Sequence, residues 1–237
     1  MQHPTFINDS PSGGSGGIGR EVVLQMANNK DNKIIFTGRD EERLKEIAAL
    51  CTNNNASYLR FDFSVLGNEA EAVREQVFNR ISKLDIMINC AGSLIVRDFV
   101  DIPDQDARIM METNLFGPAT FIKMLVPLMT KGSHIVNISS MGGFQGSAKY
   151  KGLAYYSASK AALACLTECL AVELAERGIS ANCLALGSVQ TEMFENAFPG
   201  FKAPIQPSEM AAFISYFAVN GNKFFNGKIL PVAVSNP

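Results

Sequence analysis

The sequence is poor in the residues that build metal sites and disulfide frameworks. It contains 2 His and 5 Cys, and no two of the cysteines have the CxxC spacing. Cys165 and Cys169 lie four positions apart and could share a helix face. Two histidines are few for a zinc site, and we therefore expect no bound metal. We expect the cysteines to be buried free thiols in a reducing cytoplasm.

Long apolar runs and an excess of basic charge are also missing. No stretch approaches the roughly 18 uninterrupted apolar residues of a membrane span, and the N-terminus lacks the basic-then-apolar order of a signal peptide. The 21 Lys and Arg residues against 23 Asp and Glu give a net charge of −2. This balance provides no basic surface for nucleic acid. We therefore expect a cytoplasmic protein with neither a nucleic-acid nor a membrane partner.

The chain has the length and pattern of one large α/β domain covering residues 1–237. Apolar, β-rich runs alternate with helical patterns, which predicts a Rossmann-like, doubly wound parallel sheet with helices on both faces. The predicted strands are 33–37, 56–62, 84–89, 134–139, 179–186 and 228–234. The predicted helices are 17–29, 40–52, 65–82, 104–130, 154–177 and 207–219.

Two segments fit this alternation poorly. Residues 4–9 would form the first strand, but they turn polar early. Pro11 follows them and cannot donate to a central ladder, so we expect a short or bulged strand. Residues 192–207 are rich in proline and aromatic residues, and we expect a mobile substrate lid with an apolar inner face. The candidate residues of that face are Met193, Phe194, Phe198 and Phe201.

A glycine-rich turn occupies residues 12–19, which read Ser-Gly-Gly-Ser-Gly-Gly-Ile-Gly. Glycines let the backbone approach a ligand closely, and the N–H groups and positive dipole end of the helix that follows suit a diphosphate. A flexible linker or an ordinary helix N-terminus would give the same composition. The position between a possible strand and an amphipathic helix favours the diphosphate site.

The end of the second predicted strand bears on which dinucleotide binds. Arg39 stands where NAD-binding folds usually carry an acidic residue, and a guanidinium there can pair with a ribose 2′-phosphate. This predicts NADP(H) in preference to NAD(H). The alternative is a solvated arginine beside Asp40. Asp62, at the end of the third strand, could bind the adenine amine or cap the next helix.

Three side chains form a candidate acid–base constellation. Tyr156 and Lys160 lie four apart and so share a helix face. An adjacent ammonium stabilises a phenolate, which predicts a lowered pKa for Tyr156 and a usable general acid or base. Ser140 ends the preceding strand, where α/β sheets bind ligands. Tyr155 competes as the phenol, but its spacing of five to Lys160 turns it off that face.

Several motifs occur together and in order along nearly the whole chain. Residues 12–19 are similar to TGxxxGIG, residues 89–92 (Asn-Cys-Ala-Gly) to NNAG, and residues 182–191 to N-x-x-x-P-G-x-V-x-T. Asn114 matches an active-site asparagine, and Tyr156 with Lys160 matches YxxxK. The chain thus resembles the short-chain dehydrogenase/reductase family. Its overall form is most similar to 3-oxoacyl-acyl-carrier-protein reductases.

The resemblance implies an NADPH-dependent carbonyl reductase. Tyr156 would protonate the carbonyl oxygen, Ser140 would stabilise the developing oxyanion, Lys160 would hold the nicotinamide ribose, and Asn114 would help to hold a water in the proton relay. The implied cofactor contacts are Ser12, Gly13, Ser15, Gly17, Ile18, Gly19, Arg39, Asp62, Phe63, Asn89, Ala91, Gly92, Tyr156, Lys160, Gly187, Val189 and Thr191.

The chain also departs from the family pattern. Leu186 replaces the usual proline, and the segment between Ser140 and Tyr156 is longer than the commonest spacing. An NADP(H)-binding sensor or scaffold without turnover therefore stays open as an alternative, as does an NAD-linked alcohol dehydrogenase of the same family. The complete set of acid–base residues argues against a mere binder.

Two kinds of partner are expected besides a small-molecule carbonyl substrate. An acyl-carrier protein would favour a basic rim, for which the candidates are Lys149, Lys151 and Lys202, although scattered solvated lysines are common. The stretch from Ala158 to Ala175 is apolar on most sides, so one side would face the sheet and the other a second copy of the chain or a neighbouring helix. The resemblance implies a homodimer or homotetramer.

Overall fold

A computed structural model describes residues 3–8, 17–61 and 66–234. The described strands form one sheet in the order β3-β2-β1-β4-β5-β6-β7, and every neighbouring pair is parallel. The strands are β1 (His3–Asn8), β2 (Asn32–Gly38), β3 (Ala56–Arg60), β4 (Leu84–Asn89), β5 (Met129–Ser140), β6 (Ser180–Leu186) and β7 (Ile229–Val232). The predicted doubly wound parallel sheet is confirmed.

Helices cover both faces of this sheet. They are α1 (Ile18–Ala27), α2 (Glu41–Leu50), α3 (Leu66–Phe78), α4 (Asp104–Met111), α5 (Gly117–Leu125), α6 (Ala154–Glu173), α7 (Glu192–Ala197) and α8 (Pro207–Asn220). Successive side chains of β1 point to opposite faces of the sheet, and each packs into the core on its own face. Phe6 stacks on Phe121 of α5 at a centroid distance of 5.4 Å, in the core shared with α3 and α6. Ile7 joins the core of α1, α2 and α8 on the opposite face.

The first strand is regular, so the expected bulge is not found. β1 is the central strand, and its six residues pair in register with β2. Pairing with β4 begins at Thr5, after Pro4. A proline near the start of a strand removes little from the ladder. Pro11 lies outside the described residues.

The predicted single helix over 104–130 is wrong in extent. The chain instead forms α4, a π-helical turn at Glu112–Phe116, and α5, with Pro118 at the start of α5. Strand β5 already begins at Met129, and its register against β4 shifts between Leu84 and Ile86. Proline removes a helical hydrogen bond, so Pro127 explains why the helix cannot continue to residue 130.

The 192–207 segment, expected to be a mobile substrate lid, contains helix α7. Thr191 caps this helix, because its hydroxyl oxygen accepts a hydrogen bond from the Phe194 N–H at 3.2 Å. A backbone bridge then ties Val189 to Ile205, and the Gln190 N–H donates to the Ile205 carbonyl at 2.8 Å. The segment is therefore fastened at both ends, and its role as a lid stays a prediction.

The five cysteines are free, but only some are buried. Cys51 and Cys183 lie in the core, and Cys90 is partly exposed. Cys165 and Cys169 are exposed on α6, so the expectation that all the thiols are buried is wrong for these two. The inner face of α6 is filled by other residues, which leaves the i, i+4 pair on the outer face.

His134 is a fully buried titratable group on β5. Its Nδ1 lies 2.9 Å from the Ala218 carbonyl oxygen, and its Nε2 lies 3.0 Å from the Asn182 amide nitrogen. Nδ1–H therefore donates and Nε2 accepts, which fixes a neutral tautomer. Burial lowers the pKa of His134 to about 4, opposed by the bond to Ala218.

This environment predicts that acid destabilises the fold. Between about pH 4 and the unfolded pKa of about 6.5, the unfolded chain binds a proton that folded His134 does not, so the free energy of unfolding rises with pH across this window. We expect about 3 kcal/mol between the two ends. Urea titrations across this range measure the slope. In His134→Gln this pH dependence should disappear, because the titrating group is removed. An equal slope of unfolding free energy against pH in the variant and the wild-type protein would contradict the prediction.

Candidate active site

A cleft lies along the carboxyl ends of the parallel strands, where sheets of this type bind ligands. It is lined by the first residues of α1, by the end of β2, by the segments after β4 and β6, by the end of β5, and by one face of α6. The representative lining residues are Gly17, Thr37, Gly92, Ser140, Tyr156, Lys160 and Gly187.

The N-terminus of α1 opens into this cleft. Gly17, Ile18 and Gly19 line it, and Gly17 caps the helix without any side-chain hydrogen bond. The first backbone N–H groups of α1 and the positive end of the helix dipole therefore face the cleft, as an anionic ligand requires. The other predicted diphosphate contacts, Ser12, Gly13 and Ser15, lie outside the described residues, as do Asp62 and Phe63.

The fold brings the predicted acid–base residues together in the cleft. Tyr156 is half-buried and hydrogen-bonds with Ser140. The Gly142 N–H donates to the Ser140 oxygen at 3.1 Å, which leaves the hydroxyl proton free to donate. Tyr155 instead stacks on Phe99 at 5.7 Å. Tyr156 is thus the tyrosine of the two that lines the cleft, as its spacing to Lys160 predicts, while its catalytic role stays a prediction.

Lys160 is buried and held by backbone carbonyl groups. Its Nζ donates to the Ile138 oxygen at 2.9 Å and to the Ala91 oxygen at 3.3 Å. An ammonium has three N–H donors, so one is left for a ligand in the cleft. Its backbone is fixed as well, because the Ser139 hydroxyl donates to the Lys160 carbonyl at 2.8 Å. Adjacent hydroxyls on β5 thus have separate tasks: Ser139 anchors α6, and Ser140 faces the site.

The pKa shifts oppose the predicted activation of Tyr156. Burial raises the pKa of Tyr156, and the hydrogen bond from Ser140 lowers it only in part. Burial lowers the pKa of Lys160 to about 8, opposed by the neighbouring Cys183 and Cys90. Tyr156 therefore keeps its proton at neutral pH and is a proton donor.

Asn114 is fully buried in the π-helical turn. Its Oδ1 accepts from the Ser93 N–H at 2.7 Å, while its Nδ2 donates to the Ser93 carbonyl at 3.0 Å and to the Ser159 hydroxyl at 2.8 Å. Ser159 in turn donates to the Tyr156 carbonyl at 2.7 Å. Most of the Asn114 amide is thus engaged by protein groups. Asn114 positions α6, while its implied part in holding a water stays a prediction.

Arg39 does not line the cleft, contrary to the cofactor prediction. It is exposed, and the Arg60 Nε donates to its carbonyl oxygen at 3.2 Å. The arginines that do line the cleft are Arg20 and Arg43. Arg43 pairs with Asp40 at 3.3 Å, and Asp40 also caps α2. Asp40 is the N-cap of α2, and Arg43 follows it by three residues. This spacing in the sequence was the signal that could have placed Arg43 in the first turn of the helix.

The buried hydroxyl of Thr37 marks the same end of the cleft. Thr37 is fully buried and lines the cleft, and its Oγ1 has no hydrogen-bond partner within the described parts of the chain. A buried polar atom without a partner costs about 1–3 kcal/mol, so a ligand that supplied one would be stabilised. The hydroxyl, the two arginines and the α1 N-terminus fit a phosphate-bearing dinucleotide.

The remaining predicted cofactor contacts divide into two groups. Gly92, Gly187, Val189 and Thr191 line the cleft. Asn89 and Ala91 do not: the Asn89 Nδ2 donates to the buried Asn137 Oδ1 at 2.7 Å, and Ala91 offers its carbonyl to Lys160. Asn89 is the last residue of β4 and its side chain bonds within the core, while Ala91 follows the strand and is fully buried. They support the site from behind.

The other half of the cleft is apolar. Its lining residues include Leu94, Met141, Tyr150, Leu153, Met193, Phe194 and Phe198. Phe194 and Phe198 of the lid segment contact each other at a centroid distance of 5.2 Å. Phe201 is 70% exposed and lies outside the lining, so that part of the apolar-face prediction is wrong. The cleft thus combines the N-terminus of α1 and two arginines with an apolar set of lining residues, and Tyr156 belongs to the same lining.

Searches for other kinds of site give simple results. The described part of the chain holds no cluster of three or more His, Cys, Asp or Glu side chains suited to a metal. None of its described helices is both long and apolar enough to cross a membrane. Among the candidate rim lysines, Lys149 donates to Phe144 and Ser147, and Lys151 pairs with Asp98 at 2.7 Å.

Comparisons with known proteins agree with this geometry. A family model described as short chain dehydrogenase matches residues 12–200. An uncharacterized oxidoreductase of Staphylococcus saprophyticus is 29% identical over 204 residues, covering 84% of this chain and 86% of that protein. A dehydrogenase/reductase from Sinorhizobium meliloti superposes with a TM-score of 0.83 at 25% identity, covering 97% and 93% of the two chains.

A short chain dehydrogenase from Burkholderia cenocepacia, solved in complex with NADP, gives a TM-score of 0.85 at 22% identity. The alignment covers 98% of this chain and 96% of that one. Similarity at this level of identity concerns the fold alone. The matches therefore establish the architecture and the family, while the substrate follows only from the site itself.

Proposed function

Because the chain belongs to the short-chain dehydrogenase/reductase family, whose members are NAD(P)-dependent oxidoreductases of CH–OH and C=O groups, we propose that it is an NADPH-dependent reductase of a 3-oxoacyl compound or related ketone. The observation that carries the proposal is the meeting of Tyr156, Ser140 and Lys160 in one cleft with the open N-terminus of α1. A reductase needs a proton donor beside its cofactor site, and this cleft provides one.

The residues of the cleft have distinct tasks in this reaction. The bound nicotinamide cofactor supplies the hydride. Tyr156, kept protonated by burial, donates its phenolic proton to the substrate oxygen, while Ser140 donates a hydrogen bond to the same oxygen as negative charge develops. The free N–H of Lys160 binds the ribose. A positioned general acid of this kind contributes about 10²–10⁴ in rate.

The preference for NADPH is proposed from the cations near the β2 end of the cleft. Arg43 and Arg20 line it, and Arg39 lies one residue after β2. We expect Arg43→Ala to weaken NADPH binding by about tenfold or more, because a charge-assisted bond to the 2′-phosphate is lost. Arg39→Ala should weaken it less, because Arg39 is not among the residues that line the cleft. NADH binding should change little. Fluorescence titration of both cofactors measures this.

Lys45→Ala is a matched control for these variants. Lys45 lies on the same helix, pairs with Glu41 and Glu42, and does not line the cleft. It should leave the binding of both cofactors unchanged. Tighter binding of NADH than NADPH in the wild-type protein, unaffected by either arginine variant, would instead support an NAD-linked dehydrogenase.

The experiment that tests the function is a cofactor and substrate panel on the purified protein. Oxidation of NADPH, followed by absorbance, is measured with free ketones and with 3-oxoacyl thioesters. Turnover with any of them supports the reductase. NADPH binding without oxidation across the panel would favour a sensor or scaffold and overturn the proposal.

A homodimer or homotetramer formed through α6 is proposed as the working assembly. The inner face of this helix is buried, while its outer face remains open, with Val172 77% exposed. Small residues at Ala158 and Ala161 allow close approach of a second copy. We also propose a cytoplasmic location, where reducing conditions keep the exposed thiols Cys165 and Cys169 free.

A further inference from the structure

A shallow surface groove adjoins the apolar half of the cleft. It is lined by Phe99, Val100, Tyr150, Gly152, Leu153 and Ala154, among others. Tyr150 and Leu153 also line the catalytic cleft, so the two depressions share a wall. A ligand held at Tyr156 can therefore continue into this groove without leaving the protein surface.

The groove is a built feature of two segments fastened together. The Arg97 N–H donates to the Gly152 carbonyl at 3.0 Å, and Gly152 has a φ of +83°. A Cβ at that position would lie 3.0 Å from a Val96 methyl group, so glycine is needed for the approach. Phe99 is braced by its stack on Tyr155.

The exposed surface of the groove is largely apolar, and the two lysines at its rim bond to protein groups. Phe99 is 66% exposed and Val100 is 85% exposed, and these adjacent residues form a contiguous apolar patch of the kind that marks ligand-binding grooves. At the rim, Lys151 pairs with Asp98 at 2.7 Å. Lys149 turns back to the Phe144 carbonyl oxygen at 2.8 Å. An apolar chain fits this surface better than a charged group.

We propose that the groove binds the apolar tail of the substrate, so that the enzyme selects ketones with long alkyl chains. This inference rests on the proposed reductase activity and specifies its substrate. The carbonyl lies at Tyr156, and the chain passes Tyr150 and Leu153 to reach Phe99 and Val100. Lys151 is paired with Asp98, and Lys149 is bonded back to the Phe144 carbonyl and the Ser147 hydroxyl. Neither lysine is directed away from the protein toward an acidic carrier protein, which favours a free ketone.

The test is a chain-length series of methyl ketones from butanone to dodecanone with NADPH. In the wild-type enzyme, kcat/KM should rise about two- to fourfold for each methylene until the groove is filled. Phe99→Ala and Val100→Asp should lower kcat/KM for dodecanone about tenfold and leave butanone within about twofold. Phe224→Ala, which removes a ring that is 77% exposed elsewhere, is the matched control and should change neither.

The possible outcomes separate this proposal from the reductase function. A chain-length gain that both variants abolish supports the groove. Reduction of butanone and dodecanone at equal kcat/KM overturns the groove while leaving the reductase intact. If neither the methyl ketones nor the 3-oxoacyl thioesters support NADPH oxidation, both proposals are overturned. If Phe99→Ala changes the mass measured by light scattering and lowers kcat/KM equally for all chain lengths, the groove is a contact between subunits and the proposal is wrong.

Discussion

Tyr156→Phe should lower the turnover number about 1,000-fold and leave NADPH affinity within about threefold. The substitution removes one oxygen and keeps the ring that lines the cleft. The proton for the substrate oxygen then has no donor at this position. Ser140 remains but gives only a hydrogen bond, so residual activity is expected. Single-turnover kinetics with a short ketone, alongside cofactor titration, measure both effects.

Tyr155→Phe is the matched control for this prediction. The phenol is one residue away on the same helix, and its ring stacks on Phe99 rather than facing the cleft. Loss of its hydroxyl should change turnover of a short ketone by no more than about twofold. A wild-type rate for Tyr156→Phe, or a large loss for Tyr155→Phe, would remove Tyr156 from the proposed role.

Gly143→Ala should destabilise the protein by about 3 kcal/mol and impair catalysis as well. A Cβ at Gly143 would lie 2.6 Å from the Ala161 backbone nitrogen and 2.6 Å from the Lys160 carbonyl carbon. Both are backbone atoms of a helix and cannot rotate aside, so α6 must move. Because Lys160 is held by carbonyls of other elements, that movement pulls its ammonium out of position.

The expected fall in Tm is about 6–12 °C for a chain of this size, measured by calorimetry. Gly146→Ala is the control, since Gly146 has a φ of +84° but nothing within 4 Å of a Cβ. It should cost only about 1 kcal/mol through backbone strain and leave turnover intact. Equal Tm values for the two variants would show that α6 does not pack against Gly143 as described.

The sheet could be predicted because its signal is local. Runs such as Leu84–Asn89 are apolar at nearly every position, as strands covered on both faces require, and the structure confirms this strand at both bounds. The positions where the helix predicted over 104–130 is interrupted and ends could not be read from the sequence. Its residues keep a helical pattern through the π-helical turn, and the early start of β5 at Met129 follows from pairing with β4, which is a long-range contact.

The residues expected to bind the cofactor show the same contrast between local sequence signals and tertiary packing. The glycine-rich motif and Arg39 could be identified from adjacent residues, yet the arginines that line the cleft are Arg20 and Arg43. Which of several nearby cations faces a cavity depends on how α1 and α2 pack on the sheet. The sequence also does not show that the Thr37 hydroxyl lacks a hydrogen-bond partner among the described residues, because burial depends on neighbouring residues from other elements.

The sequence by itself determined the order of strands and helices and the choice of Tyr156 over Tyr155, because both depend on spacings along one chain segment. Only the tertiary structure decided the protonation of that phenol. The carbonyls of Ala91 and Ile138, from two different strand ends, hold the Lys160 ammonium, and burial then raises the pKa of Tyr156. Desolvation depends on every element that surrounds a group, and no spacing along the chain encodes it.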